Sequence, residues 1–417
     1  MLTVEHQEVT ELRDRKVSVH KKGSKREGEV RTDQGLPKGK LADSDFAKNW
    51  KPPTFTLKEI RDAVPAHCFK RNTFISLGHM SLDLAMVAGL FYLATKIDQL
   101  PLVWQIPAWF AYWICQGVVG TGLWVLAHEC GHNAFSPHTI VNHSVGFVLH
   151  SMLLVPFFSW KYTHSKHHKG TNHMSKDQVF IPLVRSQFEK FHNLPRTRKI
   201  IPALQEGMQY LEDAPLKNFM AFGFVLLFGW PLYLLTNISS QKRKDQWVSH
   251  FFPNAPIFDK REYFGVVYSN VGIFIALAAM ASSITQFGLQ SYMKYYFIPY
   301  LFVNMWLVLI TFLQHTDPKL PRYRGSEWDF MKGAIGTVDR DFGILNFFFH
   351  HITDTHVVHH LFSTMPFYHA QEATKAVIPI LGEYYLYDNK PFWEAALECH
   401  AKCQFVEDSG DIVWFKH

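Results

Sequence analysis

The chain has 417 residues, among them 24 histidines and 36 phenylalanines, and its formal net charge is +6. Charged residues make up 19% and aromatic residues 15%, whereas roughly 25% of the residues in a soluble domain are charged. This composition excludes a collagen, a coiled coil, a disordered chain and a disulfide scaffold, and it indicates a membrane protein rich in imidazole.

The first 50 residues are rich in charge and poor in large apolar side chains. We expect residues 1–50 to form a disordered cytosolic tail, because such a segment cannot bury enough apolar surface to fold. A helix should begin just after this tail. Thr56 and Glu59 have the spacing of a capping box at its start.

Two further features of the composition bear on partners and compartment. The five cysteines are scattered and odd in number, which is typical of reduced thiols in or facing the cytosol. No motif for reading DNA or RNA occurs, so we expect no nucleic-acid partner. The modest excess of positive charge fits contact with anionic lipid headgroups better.

Four apolar stretches are long enough to cross a membrane, since a spanning helix needs about 20 residues. The predicted spans are about 75–95, 103–127, 264–287 and 295–315. The stretch 218–241 has Lys and Arg on both flanks and Gly-Trp-Pro at its middle, so we expect it to lie in the interface or to re-enter. The shorter stretch 144–160 should also lie in the interface.

These stretches predict an all-α integral membrane protein with four transmembrane helices in two hairpins. Interfacial helices and a cytosolic, histidine-rich cap with a dimetal site complete the predicted fold. We expect the membrane domain to cover residues 51–400 and a C-terminal cytosolic tail to cover residues 401–417.

Eight histidines fall into three groups in which the spacing places the side chains on one face of a helix. Residues three or four apart are neighbours on a helix surface, so the imidazoles of each group can point at a shared metal. The groups are His128 with His132, then His164, His167 and His168, and finally His356, His359 and His360.

The predicted topology places all three groups on the same side of the membrane. No span separates the first group from the second, and two spans separate the second group from the third. If 218–241 crossed the membrane, the third group would lie on the opposite side. The spacing of the histidines and the number of spans therefore support each other.

Eight imidazoles exceed the three or four ligands of one zinc ion, but they suit two metals of borderline softness such as iron. A di-iron site beside an apolar environment indicates O2 activation at an unreactive C–H bond. Carboxylates commonly orient metal-binding imidazoles. The candidates for that role are Glu129, Asp177 and Asp354.

The three groups resemble the histidine boxes of membrane fatty acid desaturases, and the Δ12 and ω3 acyl-lipid desaturases of fungi and plants in particular. Further matches extend the resemblance from about residue 50 to about residue 400. They are Pro65-Ala-His-Cys-Phe69, Gly229-Trp-Pro-Leu-Tyr233, Leu313-Gln-His-Thr316 and Val338-Asp-Arg-Asp-Phe342.

The resemblance implies an enzyme of the endoplasmic reticulum membrane whose active site faces the cytosol. It implies two iron ions, O2 as co-substrate, and electrons from NADH through cytochrome b5 reductase and cytochrome b5. It also implies a ninth iron ligand near the end of the last span, a place that His315 occupies. The expected reaction is the conversion of oleoyl to linoleoyl chains on glycerolipids. Both a monomer and a homo-oligomer are compatible with the sequence.

Several alternatives share some of these features. An ω3 (Δ15) or bifunctional desaturase, a hydroxylase, a conjugase and an acetylenase have the same boxes and differ in where the oxidant meets the acyl chain. From another class, a divalent-metal transporter would place its ligands within the spans, whereas these groups lie at a span's end and in polar segments. A di-zinc or single-iron hydrolase is a further alternative.

Overall fold

A computed structural model describes residues 50–192, 215–241 and 246–417. The predicted N-terminal tail therefore lies outside the described residues except for Trp50. The helices are α1 (Leu57–Ala63), α2 (Thr73–Ala94), α3 (Leu102–Gly131), α4 (Thr139–Met152), α5 (Phe157–Gly170), α6 (Arg185–His192), α7 (Pro215–Thr236), α8 (Tyr263–Phe287), α9 (Leu289–Tyr292), α10 (Ile298–His315), α11 (Phe330–Ile335), α12 (Leu345–Phe348), α13 (His356–Leu361), α14 (Phe367–Leu381) and α15 (Phe392–Lys402).

The first two helices begin where the sequence provides side-chain caps. The Thr56 hydroxyl accepts a hydrogen bond from the Glu59 amide, and a Glu59 carboxylate oxygen accepts one from the Thr56 amide at 2.7 Å. This confirms the predicted capping box. Asn72 caps α2 by accepting from the Phe74 amide at 2.9 Å. Such caps satisfy amides that have no partner within the helix.

Four helices in the described part of the chain are long and apolar enough to cross a membrane, in agreement with the predicted spans. The first and third of them are mostly exposed along their length, whereas half or more of the second and fourth is buried inside the protein. The helical segments are Thr73–Gln99, Leu102–Gly131, Lys260–Phe287 and Leu289–His315.

Helices α3 and α10 pack closely where α3 has glycines. A Cβ atom on Gly117 would lie 2.3 Å from the Cβ of Phe302, and one on Gly120 would lie 2.8 Å from Val303 Cγ2. Any larger residue at Gly117 would push the helices apart. This contact packs the middle of α3 against the first half of α10, and both helices continue from it to the first histidine group and His315 at their C-terminal ends.

Helix α7 covers most of the stretch 218–241. The Gly-Trp-Pro sequence does not interrupt it, and Pro231 lies inside a continuous helix. Proline removes one backbone hydrogen bond, but Trp230 and Leu234 are buried in one core with Val303 and Leu307 of α10, and this packing keeps the helix together. Its apolar part, Met220–Thr236, is shorter than the spanning helices.

The stretch 144–160 contains a sharp bend. Helices α4 and α5 meet at an angle of 106°. If this bent pair were counted as one further span, the described residues would contain five spans in place of four. Pro156 stands at the bend as the residue before α5. The bend directs α5 to the ends of α3 and α10, so the second histidine group reaches the first.

Four short strands lie in the cap, where the sequence predicted none. Strand β1 (Arg322–Tyr323) pairs antiparallel with β4 (Ile412–Val413), and β2 (Val338–Arg340) pairs parallel with β3 (Leu386–Asp388). The domain boundaries stay predictions. Residues 401–417, expected to form a tail, nevertheless contribute strand β4 and pack against the cap.

Candidate dimetal site

The structure brings all nine candidate histidines into one buried region. His128 and His132 lie at the end of α3, and the second group lies on the last turns of α5. The third group occupies α13, and His315 is the last residue of α10. Elements separated by up to about half of the chain therefore contribute imidazoles to one place.

The histidines form two adjoining groups, and within each the candidate ligand atoms lie within 4.8 Å of one another. In the first group, His164 Nε2 lies 2.9 Å from His128 Nε2 and 3.1 Å from His168 Nε2. The members are His128, His132, His164, His168 and His359 in one group, and His167, His315 and His360 in the other.

The two groups touch, and His356 joins the second. The rings of His168 and His360 stack with their centroids 4.0 Å apart. His356 Nε2 lies 2.9 Å from His315 Nε2. Two nitrogen-rich sites side by side are the arrangement that a pair of metal ions needs.

Burial favours the neutral form of five of these imidazoles. It lowers the pKa of His359 to about 3, and it holds the pKa values of His132, His164, His168 and His360 well below the usual value. Neutral imidazole is the form that binds a metal. Coulombic repulsion from neighbouring histidines, were they protonated, acts in the same direction as burial.

Several ring nitrogens in the region are buried without a hydrogen-bond partner in the described structure. An unpaired buried polar atom costs about 1–3 kcal/mol, so a cluster of them would be unfavourable unless something else binds there. A metal cation supplies the missing partner for nitrogen lone pairs. The unpartnered atoms include Nε2 of His132, His359 and His360.

Two of the three candidate carboxylates contact these imidazoles. Asp177 Oδ1 lies 2.5 Å from His167 Nδ1, and its other oxygen accepts from the Asn172 amide at 2.9 Å. Glu129 Oε1 lies 3.4 Å from His128 Nδ1 and 3.8 Å from His359 Nδ1. These contacts leave the opposite nitrogen of each ring free to face a metal.

Asp354 lies elsewhere than its place beside the third group suggested. Both of its carboxylate oxygens lie 3.1 Å from Nδ1 of His351, which belongs to neither histidine group. Asp354 comes two residues before α13 begins, so its side chain does not share the face of that helix. We therefore assign Asp354 no contact with a candidate ligand.

One functional residue that sequence reasoning missed is Asp339. Its Oδ1 accepts from the Val357 amide at 2.8 Å in the first turn of α13, and its Oδ2 accepts from the Tyr385 hydroxyl at 2.8 Å. Burial raises the pKa of Asp339 to about 7. Asp339 stands in the Val338–Phe342 match, but only the fold shows that it fixes the start of the third histidine helix.

An apolar cavity of about 390 Å³ adjoins the histidines. Side chains from α3, α5, α7 and α10 form its walls, among them Trp124, Trp160, Trp230 and Phe312. Five of the nine histidines line it, namely His128, His164, His167, His315 and His356. Its volume is within the range of roughly 300–1,000 Å³ typical of small-molecule sites, and its walls suit an alkyl chain.

Together, the spans, the paired histidine groups and the apolar cavity define a membrane protein whose histidine clusters could hold metal beside an apolar cavity. Comparison with known proteins gives the family. A family model described as fatty acid desaturase matches residues 107–392. The chain belongs to the fatty acid desaturase family.

Characterised relatives match nearly the whole chain. A Delta(12) fatty acid desaturase of Mortierella isabellina is 51% identical over 89% of this chain and 93% of its own length. A Delta(12)-fatty-acid desaturase of Arabidopsis thaliana is 43% identical over 88% of this chain and 92% of its own. An acyl-lipid (9+3)-(E)-desaturase of Dimorphotheca sinuata is 42% identical over 88% of this chain and 93% of its own.

Proposed function

We propose that this protein is a Δ12 fatty acid desaturase that converts oleoyl to linoleoyl chains on glycerolipids. The observation that carries the proposal is the convergence of nine buried or partly buried histidines beside an apolar cavity of about 390 Å³. The names of the relatives support the Δ12 position. No described feature favours a hydroxylase or a transporter.

The donor set fits two iron ions, one in each histidine group. His128, His132, His164, His168 and His359 would hold the first ion, and His167, His315, His356 and His360 the second. Nitrogen ligands without carboxylates suit iron of borderline softness. When bound, the iron pair supplies O2 reduction and hydrogen abstraction: two methylene groups, O2, two electrons and two protons give one double bond and two waters.

The protein's own side chains position the acyl chain and exclude water. Trp124 and Trp160 pack beside His128 and His164, with ring centroids 5.7 and 4.4 Å apart respectively. Such walls hold a hydrocarbon against the imidazoles, and they keep out water that would quench a reactive oxidant. Asp177 would hold His167 in the tautomer that leaves Nε2 free for the metal.

The cellular setting proposed here follows from the family and from the converging histidine groups. We propose the endoplasmic reticulum membrane, with the site facing the cytosol and with cytochrome b5 and its NADH-dependent reductase as electron donors. An acidic electron carrier would be attracted to the basic segments near 185–199 and 242–244. Residues 193–199 and 242–244 lie outside the described residues, and Arg185 forms an ion pair with Glu407 at 2.6 Å.

Expression in a host that makes oleate but no dienoic acids tests the activity. We expect mass spectrometry of the extracted lipids to detect linoleate with the wild-type chain and none with the His359→Ala variant at equal protein level. A hydroxylated product, a triene or no new diene from the wild type would contradict the Δ12 assignment. Glycosylation tags at the exposed positions Lys176 and Glu383 would test whether the segments that carry the second and third histidine groups both face the cytosol.

A further inference from the structure

Within the described residues, a further group of metal-binding side chains lies away from the histidine site. His67, Cys68, His369 and Glu372 each offer one ligand atom, and all four atoms lie within 4.8 Å of one another. His67 Nε2 is 2.8 Å from Glu372 Oε2 and 3.7 Å from Cys68 Sγ. The rings of His67 and His369 are 5.3 Å apart.

Two separate elements create this group. His67 and Cys68 lie on a short 3-10 helix, Ala66–Phe69, between α1 and the first span. His369 and Glu372 lie three residues apart on α14, so their side chains share one face. Cys68 is fully buried, whereas about half of the His67 and Glu372 side chains is exposed. The group is therefore a small recess that is closed at the thiol and open to solvent.

We propose that this recess binds one structural Zn²⁺ ion through His67, Cys68, His369 and Glu372. Structural zinc sites are four-coordinate and take thiolate, imidazole and carboxylate ligands. One thiolate and one carboxylate balance the charge of the ion. This set includes sulfur, whereas neither histidine group of the candidate dimetal site includes a cysteine, so the two kinds of site should select different metals.

The spacing of the ligand atoms is close to what tetrahedral zinc needs. Zn–N and Zn–S bonds of about 2.0–2.1 and 2.3 Å place the ligand atoms about 3.3–3.6 Å apart. The 3.7 Å between His67 Nε2 and Cys68 Sγ is close to this spacing. The 2.8 Å between His67 and Glu372 must open by about half an ångström, which two half-exposed side chains can accommodate by rotation.

The ion would join the segment before the first span to the cap. Cys68 belongs to the same buried core as Val357 and Val358 of α13, which carries the third histidine group. Phe69 packs edge-on against Phe362, with ring centroids 5.4 Å apart. Zinc at this point would fix α14 and the start of the first span relative to α13, without itself contacting the candidate iron ligands.

Metal analysis of the full-length protein, purified in detergent without chelators, tests the proposal. We expect about one zinc per chain in the wild type, lost at least fivefold in Cys68→Ser and in Glu372→Gln with iron retained. The matched controls Cys115→Ser and Glu383→Gln change residues outside the group and should keep the zinc. His359→Ala should show the reverse pattern, with iron lost and zinc kept.

Absorption by a cobalt-substituted sample provides a readout that does not depend on yield or activity. Co²⁺ bound in the recess should show a thiolate-to-cobalt charge-transfer band that is absent from Cys68→Ser. Several results would overturn the proposal. These are a wild-type protein without zinc after incubation with the metal, zinc that stays bound in both variants, or iron rather than zinc bonded to sulfur in X-ray absorption.

Discussion

The Nε2 atoms of His315 and His356 lie 2.9 Å apart, although His315 ends a membrane-spanning helix and His356 begins a helix of the cap. The last span is therefore joined directly to the candidate metal site. The end of α10 therefore sets where His315 lies in the site. His315 lies among the histidines of the three groups, although it is not part of any of them in the sequence.

We expect His315→Ala to abolish linoleate production, with a loss of more than about 100-fold, because outer partners of metal ligands already cost 10–100-fold. Iron content should fall as well. His138→Ala is the matched control, since His138 is exposed before α4 and its side chain caps nothing. Full activity of His315→Ala at normal iron content would exclude this histidine from the site.

Substituting Asp177 and substituting Asp354 should affect iron affinity differently. Asp177→Asn removes the charge beside His167 Nδ1, so we expect iron affinity to fall about 10–100-fold. Asp354→Asn changes a carboxylate that contacts His351, and it should leave the affinity within about twofold. Iron retained during titration with a chelator measures both. Equal losses in the two variants would show that the contact to His167 is not what matters.

Filling the cavity should reduce activity without removing metal. Thr311 lines the cavity on α10, and Thr311→Trp would place an indole where we propose that the acyl chain lies. We expect linoleate to fall at least tenfold with iron content unchanged. The control Thr285→Trp adds the same ring at an exposed position near the end of α8, and normal lipid profiles are expected from it.

Loss of Arg340 should reduce stability strongly. Its buried guanidinium pairs with Asp388 and with Asp317, the latter at 2.9 Å, and donates to the Leu313 carbonyl at 2.8 Å. Because removing Arg340 leaves two largely shielded carboxylates without their partner, Arg340→Met should cost up to about 3–5 kcal/mol.

Lys390→Met is the comparison for Arg340→Met. Lys390 pairs with Glu398 but its side chain is half exposed, and exposed pairs contribute about 0–1 kcal/mol. Thermal unfolding of the purified variants, followed by loss of the monodisperse peak in size-exclusion chromatography, should show a large fall in midpoint for Arg340→Met only. Similar midpoints for both variants would contradict the assigned role of the buried network.

The parts of the fold that the sequence predicted are those with a local cause. Apolar length predicted the four spans, and helical spacing placed His164, His167 and His168 on one face. The capping box of Thr56 and Glu59 was likewise local. Each of these follows from residues within about two dozen positions of one another, where period and length determine the structure.

The rest depended on contacts between distant segments. No local pattern shows that Asp339 accepts from the Val357 amide, or that His67 lies against Glu372. The bend between α4 and α5 and the unbroken course of α7 through Pro231 likewise result from tertiary packing. Asp354 was assigned by its nearness in sequence to the third box, but a residue before a helix start need not share that helix's face.

The final residues of the chain form part of the enzyme's interior wall. Strand β4 fastens this segment to β1, and Phe415 lines the cavity beside the histidines while packing under the Arg322 guanidinium at 5.3 Å. A bulky label attached to this segment should therefore disturb the cavity wall and lower activity for a reason unrelated to the variant being compared.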